Sequence, residues 1–241
     1  MKRSANYSAL ALIYPHLMRN VRYEKWAQYL NKIIQQYAPT AQTIFELAGG
    51  NGALAEKLSA YYPSYILSDL SFFMLTEGHS RLFPSLVCDM RSIPFQAKFD
   101  VVITAFDSVN YLLKEKDILS FFIEAGSALK DTGVLLFDAS LESNSYRHAT
   151  NTPIEYYYKG MKYTQLSEFH ALTRIHLNTF DIVLPNGEAF KEQHKQKIFP
   201  LELFFRLLRK SGYSAVYCFD FFSFKAGTPA SDRVQFVALK G

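Results

Sequence analysis

The chain has 241 residues, 49% of them hydrophobic and 20% charged, with 26 Lys+Arg against 22 Asp+Glu. That is the length of one domain with ample material for a buried core. The mild basicity (net +4) is spread without Lys/Arg runs, so nucleic acid is not an expected partner. No apolar run approaches a membrane span, and the apolar stretch Ala9–Tyr14 is cut short by Pro15, His16 and Arg19, too early for a signal peptide. Cys88 and Cys218 sit in apolar strand-like contexts, which reads as two buried thiols in a cytoplasmic protein and not as a disulfide or metal site.

Along the chain, residues 4–37 read as helices. Trp26, Leu30, Ile33, Ile34 and Tyr37 recur at helical spacing, and Pro39 ends the run. Alternating strands and helices follow. Strands are predicted at 43–47, 65–68, 86–88, 99–105 and 133–137, and helices at 52–61, 72–77 and 118–129. Strands that read as continuous apolar runs, such as Phe99–Ala105, belong to a parallel sheet covered on both faces. From 154 to 198 the pattern changes to polar/apolar alternation with turns at Lys159-Gly160 and Pro185-Asn186-Gly187, which predicts three or four antiparallel strands. A helix over 200–210 and two strands near 214–221 and 233–239 complete the reading.

The most informative segment is Glu46-Leu-Ala-Gly-Gly-Asn-Gly52. It closes a strand and opens an amphipathic helix, the start of a nucleotide-cofactor fold. Glycines admit close backbone approach, and the helix start presents free N–H groups. An acid ahead of the glycines would repel a pyrophosphate but suits a ligand with an ammonium and ribose hydroxyls, such as S-adenosylmethionine. Four acids, Glu46, Asp69, Asp89 and Asp107, fall at or near successive strand ends, where open parallel sheets bind ligands. Asp69 follows the glycine turn by the spacing at which an acid takes ribose hydroxyls. At the next strand end, Asp89 can accept from an adenine amine, with Leu70 and Met90 sandwiching the base.

These motifs together resemble the class I S-adenosylmethionine-dependent methyltransferases, and most closely their bacterial small-molecule branch. The likeness runs through Glu46–Gly52, Leu67-Ser-Asp-Leu-Ser71, Cys88-Asp-Met-Arg-Ser-Ile-Pro-Phe95, Phe106-Asp-Ser-Val-Asn-Tyr111 and Ala128-Leu-Lys-Asp-Thr-Gly133. It extends to Tyr14-Pro-His-Leu-Met18 and Tyr23-Glu-Lys-Trp26. Ala48 stands for a motif glycine, Pro15 for an Asp, and Asp131-Thr132 for Pro-Gly.

The resemblance implies a Rossmann-like, doubly wound seven-stranded sheet with its last strand antiparallel. It implies a single domain over 1–241, with a helical cap (1–40), a cofactor-binding core (41–150), a small β lid (151–199) and a returning helix and strands (200–241). It implies S-adenosylmethionine as donor and a small-molecule acceptor, by in-line O- or N-methylation, with no metal and no membrane; a homodimer is compatible with it. It places the methionine end of the donor on Glu46 and the Ala48–Gly49–Gly50 backbone, the ribose on Asp69, and the adenine beside Asp89, Leu70 and Met90. Phe106 and Asp107 flank the sulfonium, Asn110 and Tyr111 face the transferred methyl, and Tyr14 closes over the donor. His170 and His176 in the lid are candidate bases, with His170 preferred.

Two other readings compete. Gly50-Asn-Gly52-Ala-Leu-Ala55 fits a dinucleotide fingerprint, and Tyr158 and Lys162 have a Tyr-x-x-x-Lys spacing, although Gly160 between them marks a turn. A non-catalytic cofactor-binding protein is the other.

Overall fold

The computed structural model describes residues 2–3 and 7–241, the first two by backbone alone. The chain begins with β1 (Lys2–Arg3), α1 (Leu10–Leu17) and α2 (Tyr23–Tyr37). An alternating core follows: β2 (Thr43–Leu47), α3 (Ala53–Leu58), β3 (Ser64–Asp69), α4 (Phe72–Thr76), β4 (Ser85–Val87), β5 (Phe99–Thr104), α5 (Glu115–Ala128), β6 (Leu129–Ser140) and α6 (Glu142–His148). Next come β7 (Ile154–Tyr158), β8 (Met161–His170), β9 (Ile175–Val183) and β10 (Ala189–Lys197), then α7 (Leu201–Lys210), β11 (Tyr213–Asp220) and β12 (Arg233–Lys240).

Seven strands pair in the order β11-β12-β6-β5-β2-β3-β4. The run from β4 to β6 is parallel, and β12 is antiparallel to both β6 and β11. This is the doubly wound sheet, with antiparallel last strand, that the sequence implies. Both faces are covered, which explains the unbroken apolar strands. Alternate residues separate the two layers. Phe45, Val102, Leu135 and Phe137 pack with Phe121 and Phe122 of α5 and with Phe204 and Leu208 of α7. Ile44, Val101, Ile103 and Leu136 pack with Trp26, Leu30 and Ile33 of α2 and with Leu54 and Leu58 of α3. Phe137 stacks on Phe236 of β12 at 4.6 Å between centroids. Truncating such a fully buried ring costs about 3–5 kcal/mol.

Between α6 and α7 the chain builds its second sheet, in the order β1-β10-β9-β8-β7. The four consecutive strands are antiparallel, as the alternation predicts, and β1 joins the β10 edge in parallel. Lys159 and Gly160 both have positive φ, the signature of a tight two-residue hairpin. One end of the inner face of this sheet is apolar, with Met161, Tyr163, Phe180 and Ile182 packed on Ala9, Leu10 and Ile13 of α1.

Several boundaries differ from the sequence reading. Pro200 is the residue before α7 and not part of its first turn, which suits a ring that cannot donate a backbone bond. The short helix α6 and the strand β1 have no periodic pattern long enough to announce them. Residues 4–6 of the predicted N-terminal helical stretch lie outside the described residues.

Candidate active site

One cavity of about 1270 Å³ lies beyond the carboxyl ends of the parallel strands and beneath the second sheet. It exceeds the roughly 300–1,000 Å³ of single-ligand pockets, so it has room for two ligands. Glu46, Asp69, Asp89 and Asp107 all line it. Four consecutive parallel-sheet positions therefore deliver a carboxylate to the same space.

The glycine turn forms the floor. Glu46, next to last in β2, is almost fully buried and accepts a hydrogen bond from the Tyr65 hydroxyl at 2.8 Å. Burial pushes its pKa up to about 7, against the opposing pull of that hydrogen bond. Ala48, Gly50 and Gly52 have positive φ. A Cβ on Gly49 would meet Leu67 and stand 2.9 Å from the Glu46 carboxyl carbon, so the backbone here can pass only as glycine. Asp69, at the end of β3, accepts the Gly50 N–H at 2.9 Å and the Ser71 N–H at 2.8 Å. It thus ties the turn after β2 to the one after β3. Burial raises its pKa while these backbone donors oppose the rise. Leu70, 65% exposed, and Met90 stand by as apolar surfaces on the cavity wall. Asp89 is not free: Arg91 holds its carboxylate through Nη2 at 2.6 Å and Nε at 3.0 Å, and this pairing lowers its pKa.

The segment after β5 is strained. Phe106 and Asp107 both have positive φ, rare for side chains of their size. Neighbours hold them there. The Phe106 ring packs tilted against Trp26 at 3.9 Å between centroids. The Asp107 N–H donates to Asp138 Oδ2 at 2.8 Å, and its carboxylate accepts from the Ser140 hydroxyl at 2.5 Å and pairs with Arg233 at 3.2 Å. Arg233 also binds Asp138 at 2.9 Å. Burial still pushes the Asp138 pKa up to about 6, against the attraction of Arg233.

Beyond the strained pair, Tyr111 faces the cavity and accepts the Tyr7 hydroxyl proton at 2.8 Å, which leaves its own O–H free to donate. Burial raises the Tyr111 pKa, so this group stays a phenol. Tyr14 also lines the cavity, and burial raises its pKa strongly too.

The second sheet contributes a different chemistry. The residues of β7–β10 that line the cavity are Gln165, Ser167, His176, Asn178, His194 and Gln196, with Ile154, Tyr156 and Phe180, and Ile198 just after β10 joins them. Their register is shared: Ser167, Asn178 and His194 form one cross-strand row, and His176 and Gln196 the next. Glu192, on the same face, turns to the N-terminus of α1. It accepts backbone N–H groups of Tyr7 at 2.8 Å, Ala9 at 2.6 Å and Leu10 at 3.1 Å. A carboxylate from β10 thus caps α1 and fastens it to the lid.

Two sequence assignments are corrected. Asn110 does not reach the cavity. It is fully buried, its Nδ2 donates to the carbonyls of Ser140 at 3.2 Å and Lys197 at 2.9 Å, and its Oδ1 accepts from the Ser140 N–H at 3.0 Å. With its amide so engaged it braces the end of β6 against the end of β10. His170 is exposed at the far end of β8, away from the cavity; the lid histidines that line it are His176 and His194. Residues the sequence reading did not single out include Tyr7, Arg233, His194, Asn178 and Gln196. Their one signal is strict alternation in β10, where Glu192, His194 and Gln196 point inward while Lys191, Gln193, Lys195 and Lys197 point away.

Among the described residues no His/Cys/Asp/Glu group could hold a metal ion, and no helix is long and apolar enough to cross a membrane. Tyr158 and Lys162 lie on β7 and β8 across a hairpin and not on one helix face. This removes the geometry a Tyr-x-x-x-Lys dehydrogenase pair needs.

Comparison with known proteins agrees with this geometry. Residues 44–133 match the family model described as a methyltransferase domain. YqeM of Bacillus subtilis (strain 168), named as a methyltransferase, is 28% identical over 97% of this chain and 97% of its own. The crystal structure of a S-adenosylmethionine-dependent methyltransferase from Clostridium acetobutylicum ATCC 824 superposes with TM-score 0.80 at 22% identity, covering 98% of this chain and 100% of that one. The sugar N-methyltransferase KedS8 from Streptoalloteichus sp ATCC 53650 gives 0.79 at 18% identity, covering 100% and 96%. In strand order, in the acid-and-glycine turn and in the methyltransferase-domain match over residues 44–133, the chain is similar to S-adenosylmethionine-dependent methyltransferases.

Proposed function

We propose that the protein transfers a methyl group from S-adenosylmethionine to a small polar acceptor bound between the sheet rim and the lid. The observation that carries this reading is the convergence of Glu46, Asp69, Asp89 and Asp107 on one two-ligand cavity. At the glycine turn itself the charged groups are the acids Glu46 and Asp69, which suit a cationic nucleoside and disfavour a pyrophosphate. The bound donor supplies an activated methyl on its sulfonium, so no covalent nucleophile is required of the protein.

The residues present fit that donor. Glu46, raised to about pKa 7 when alone, gains a reason to ionise beside an ammonium. The Gly49–Gly50 backbone packs too closely on Leu67, Glu46 and Met74 to carry side chains, which keeps its N–H and C=O groups bare toward the cavity. Asp69 is already oriented by two backbone donors and can accept a ribose diol. Asp89 would take adenine by yielding part of its exposed pairing with Arg91, which costs little because exposed ion pairs are worth about 0–1 kcal/mol. Leu70 and Met90 would cover the base.

Catalysis then rests on position. The braced Phe106–Asp107 turn and Tyr111 would hold the acceptor in line with the methyl while α1, Tyr7 and Tyr14 exclude water. Tyr111, kept protonated by burial, would donate a hydrogen bond and not act as a base. In this assignment the N-terminal helices close the site, the core binds the donor and the β insertion receives the acceptor. The sugar N-methyltransferase likeness supports a small acceptor. The two unbridged thiols, Cys88 and Cys218, support a cytoplasmic setting.

Calorimetric titration with S-adenosylhomocysteine and, separately, NAD tests the reading. Saturable binding of the first and none of the second is expected; the reverse would refute it.

A further inference from the structure

The cavity is chemically divided. Its cationic lining residues are Arg22, Lys25, Arg91, Lys114 and Arg233, and none belongs to β7–β10. Arg91 and Arg233 are committed to Asp89, Asp107 and Asp138. The second sheet carries many charges, among them Lys162, Asp181, Lys191, Lys195 and Lys197, yet none of these lines the cavity. Glu192 is the one acid of β10 on the inner face, and it is engaged by the N-terminus of α1 and by His194 Nε2 at 3.2 Å.

What the lid offers instead is uncharged and underused. Gln165 donates to Asn178 Oδ1 at 3.4 Å, and Gln196 donates to the Asp107 carbonyl at 3.4 Å, both at the long limit of a hydrogen bond. No hydrogen bond ties Asn178 Nδ2, Gln165 Oε1 or Gln196 Oε1 to another described residue. Each amide can make about four bonds. Three half-buried or buried amides beside Ser167 and His176 are therefore a preformed set of neutral donors and acceptors. Unmet capacity of this kind discriminates strongly, because a ligand lacking the matching groups leaves it unpaired. A phosphate or carboxylate on this face would find no cation and would lose its hydration.

We infer that the β8–β10 face recognises an uncharged, hydroxyl- or amide-rich acceptor, and that Asn178 and Gln196 set this preference. The inference rests on the methyltransfer reading and narrows its substrate class. It excludes acceptors that present a phosphate or carboxylate to the lid.

The test uses the full-length protein saturated with S-adenosylhomocysteine, whose own binding is read first by calorimetry. Ligand-observed NMR then compares methyl glucoside, glucose 6-phosphate and glucuronate. The neutral glycoside is expected to bind at least fivefold more tightly than either anion. Asn178→Lys should reverse that order, and Asn178→Leu should abolish glycoside binding, both with unchanged affinity for S-adenosylhomocysteine. Lys195→Ala, on the outward face, should change nothing. Equal or tighter binding of an anion, or no saturable signal from any of the three, would overturn the inference while leaving the donor site standing. Failure of S-adenosylhomocysteine itself to bind would instead remove the reading beneath it.

Discussion

The two halves of the cavity solve recognition in opposite ways. On the sheet side the ligand groups are acids, each fixed by the fold before any ligand arrives: Asp69 by two backbone N–H groups, Asp107 by Ser140 and Arg233, Glu46 by Tyr65. On the side of the second sheet they are neutral amides held only by long hydrogen bonds, beside a Ser167 hydroxyl bonded to His176 at 2.8 Å. Fixed charge suits a donor that is always the same cation. Adaptable neutral groups suit an acceptor whose identity can change with a few side chains on one sheet face. The contrast predicts that substitutions on the sheet side act on donor affinity and those on the lid side on the acceptor.

The largest expected effect is at Asp69. Asp69→Asn keeps the shape but removes the charge and one acceptor; two charge-assisted bonds at about 1.5–3 kcal/mol each imply a loss of roughly 100-fold or more in S-adenosylhomocysteine affinity, read by calorimetry. Full affinity in this variant would dissolve the sheet-side half of the contrast.

Glu46 comes next and carries a pH signature. Its folded pKa of about 7 lies above the ordinary 4.5, so the folded state holds the proton more tightly. The stability it confers on the empty protein is complete below pH 4.5 and is lost as pH rises through 7, a change of up to about 3 kcal/mol. Glu46→Gln should flatten that dependence, raise the melting temperature of the empty protein at pH 8 and weaken donor binding roughly tenfold or more. In the wild type, donor affinity should fall as pH drops below 7, since the cation selects the ionised acid. A variant that binds the donor normally and melts at the wild-type temperature at every pH would contradict the assignment.

Glu192→Gln should loosen the seam between lid and α1. Loss of one buried charged cap costs about 1–2 kcal/mol, seen as a lower denaturation midpoint, with donor affinity little changed. Tyr111→Phe should reduce turnover several-fold, by removing one hydrogen-bond donor, and leave donor affinity alone. The smallest effect belongs to His170→Ala: exposed at the far end of β8, it should leave both turnover and stability within error.

The contrast also explains what could be read from the sequence. The parallel core was legible because burial on both faces writes unbroken apolar runs such as Phe99–Thr104, and because glycines and acids punctuate the strand ends. The strand-end acids follow from local spacing, and Glu46, Asp69, Asp89 and Asp107 all line the cavity. The acceptor side was not legible. Alternation in β8–β10 shows two faces, but each mixes polar and apolar residues, so hydrophobicity does not say which one looks inward. Asn110 was misplaced for a related reason: motif position puts it near the chemistry, while only the approach of β10 through Lys197 shows that its amide is consumed. Nothing in the sequence separates His170 from His176, since strand register decides which imidazole reaches the cavity.

The most direct measurement is a crystal structure with S-adenosylhomocysteine bound. The account predicts ribose hydroxyls within hydrogen-bond distance of the Asp69 carboxylate and the sulfur open toward Tyr111 and the inner face of β8–β10. A nucleoside bound elsewhere, or one whose sulfur is walled off from the lid, would contradict it.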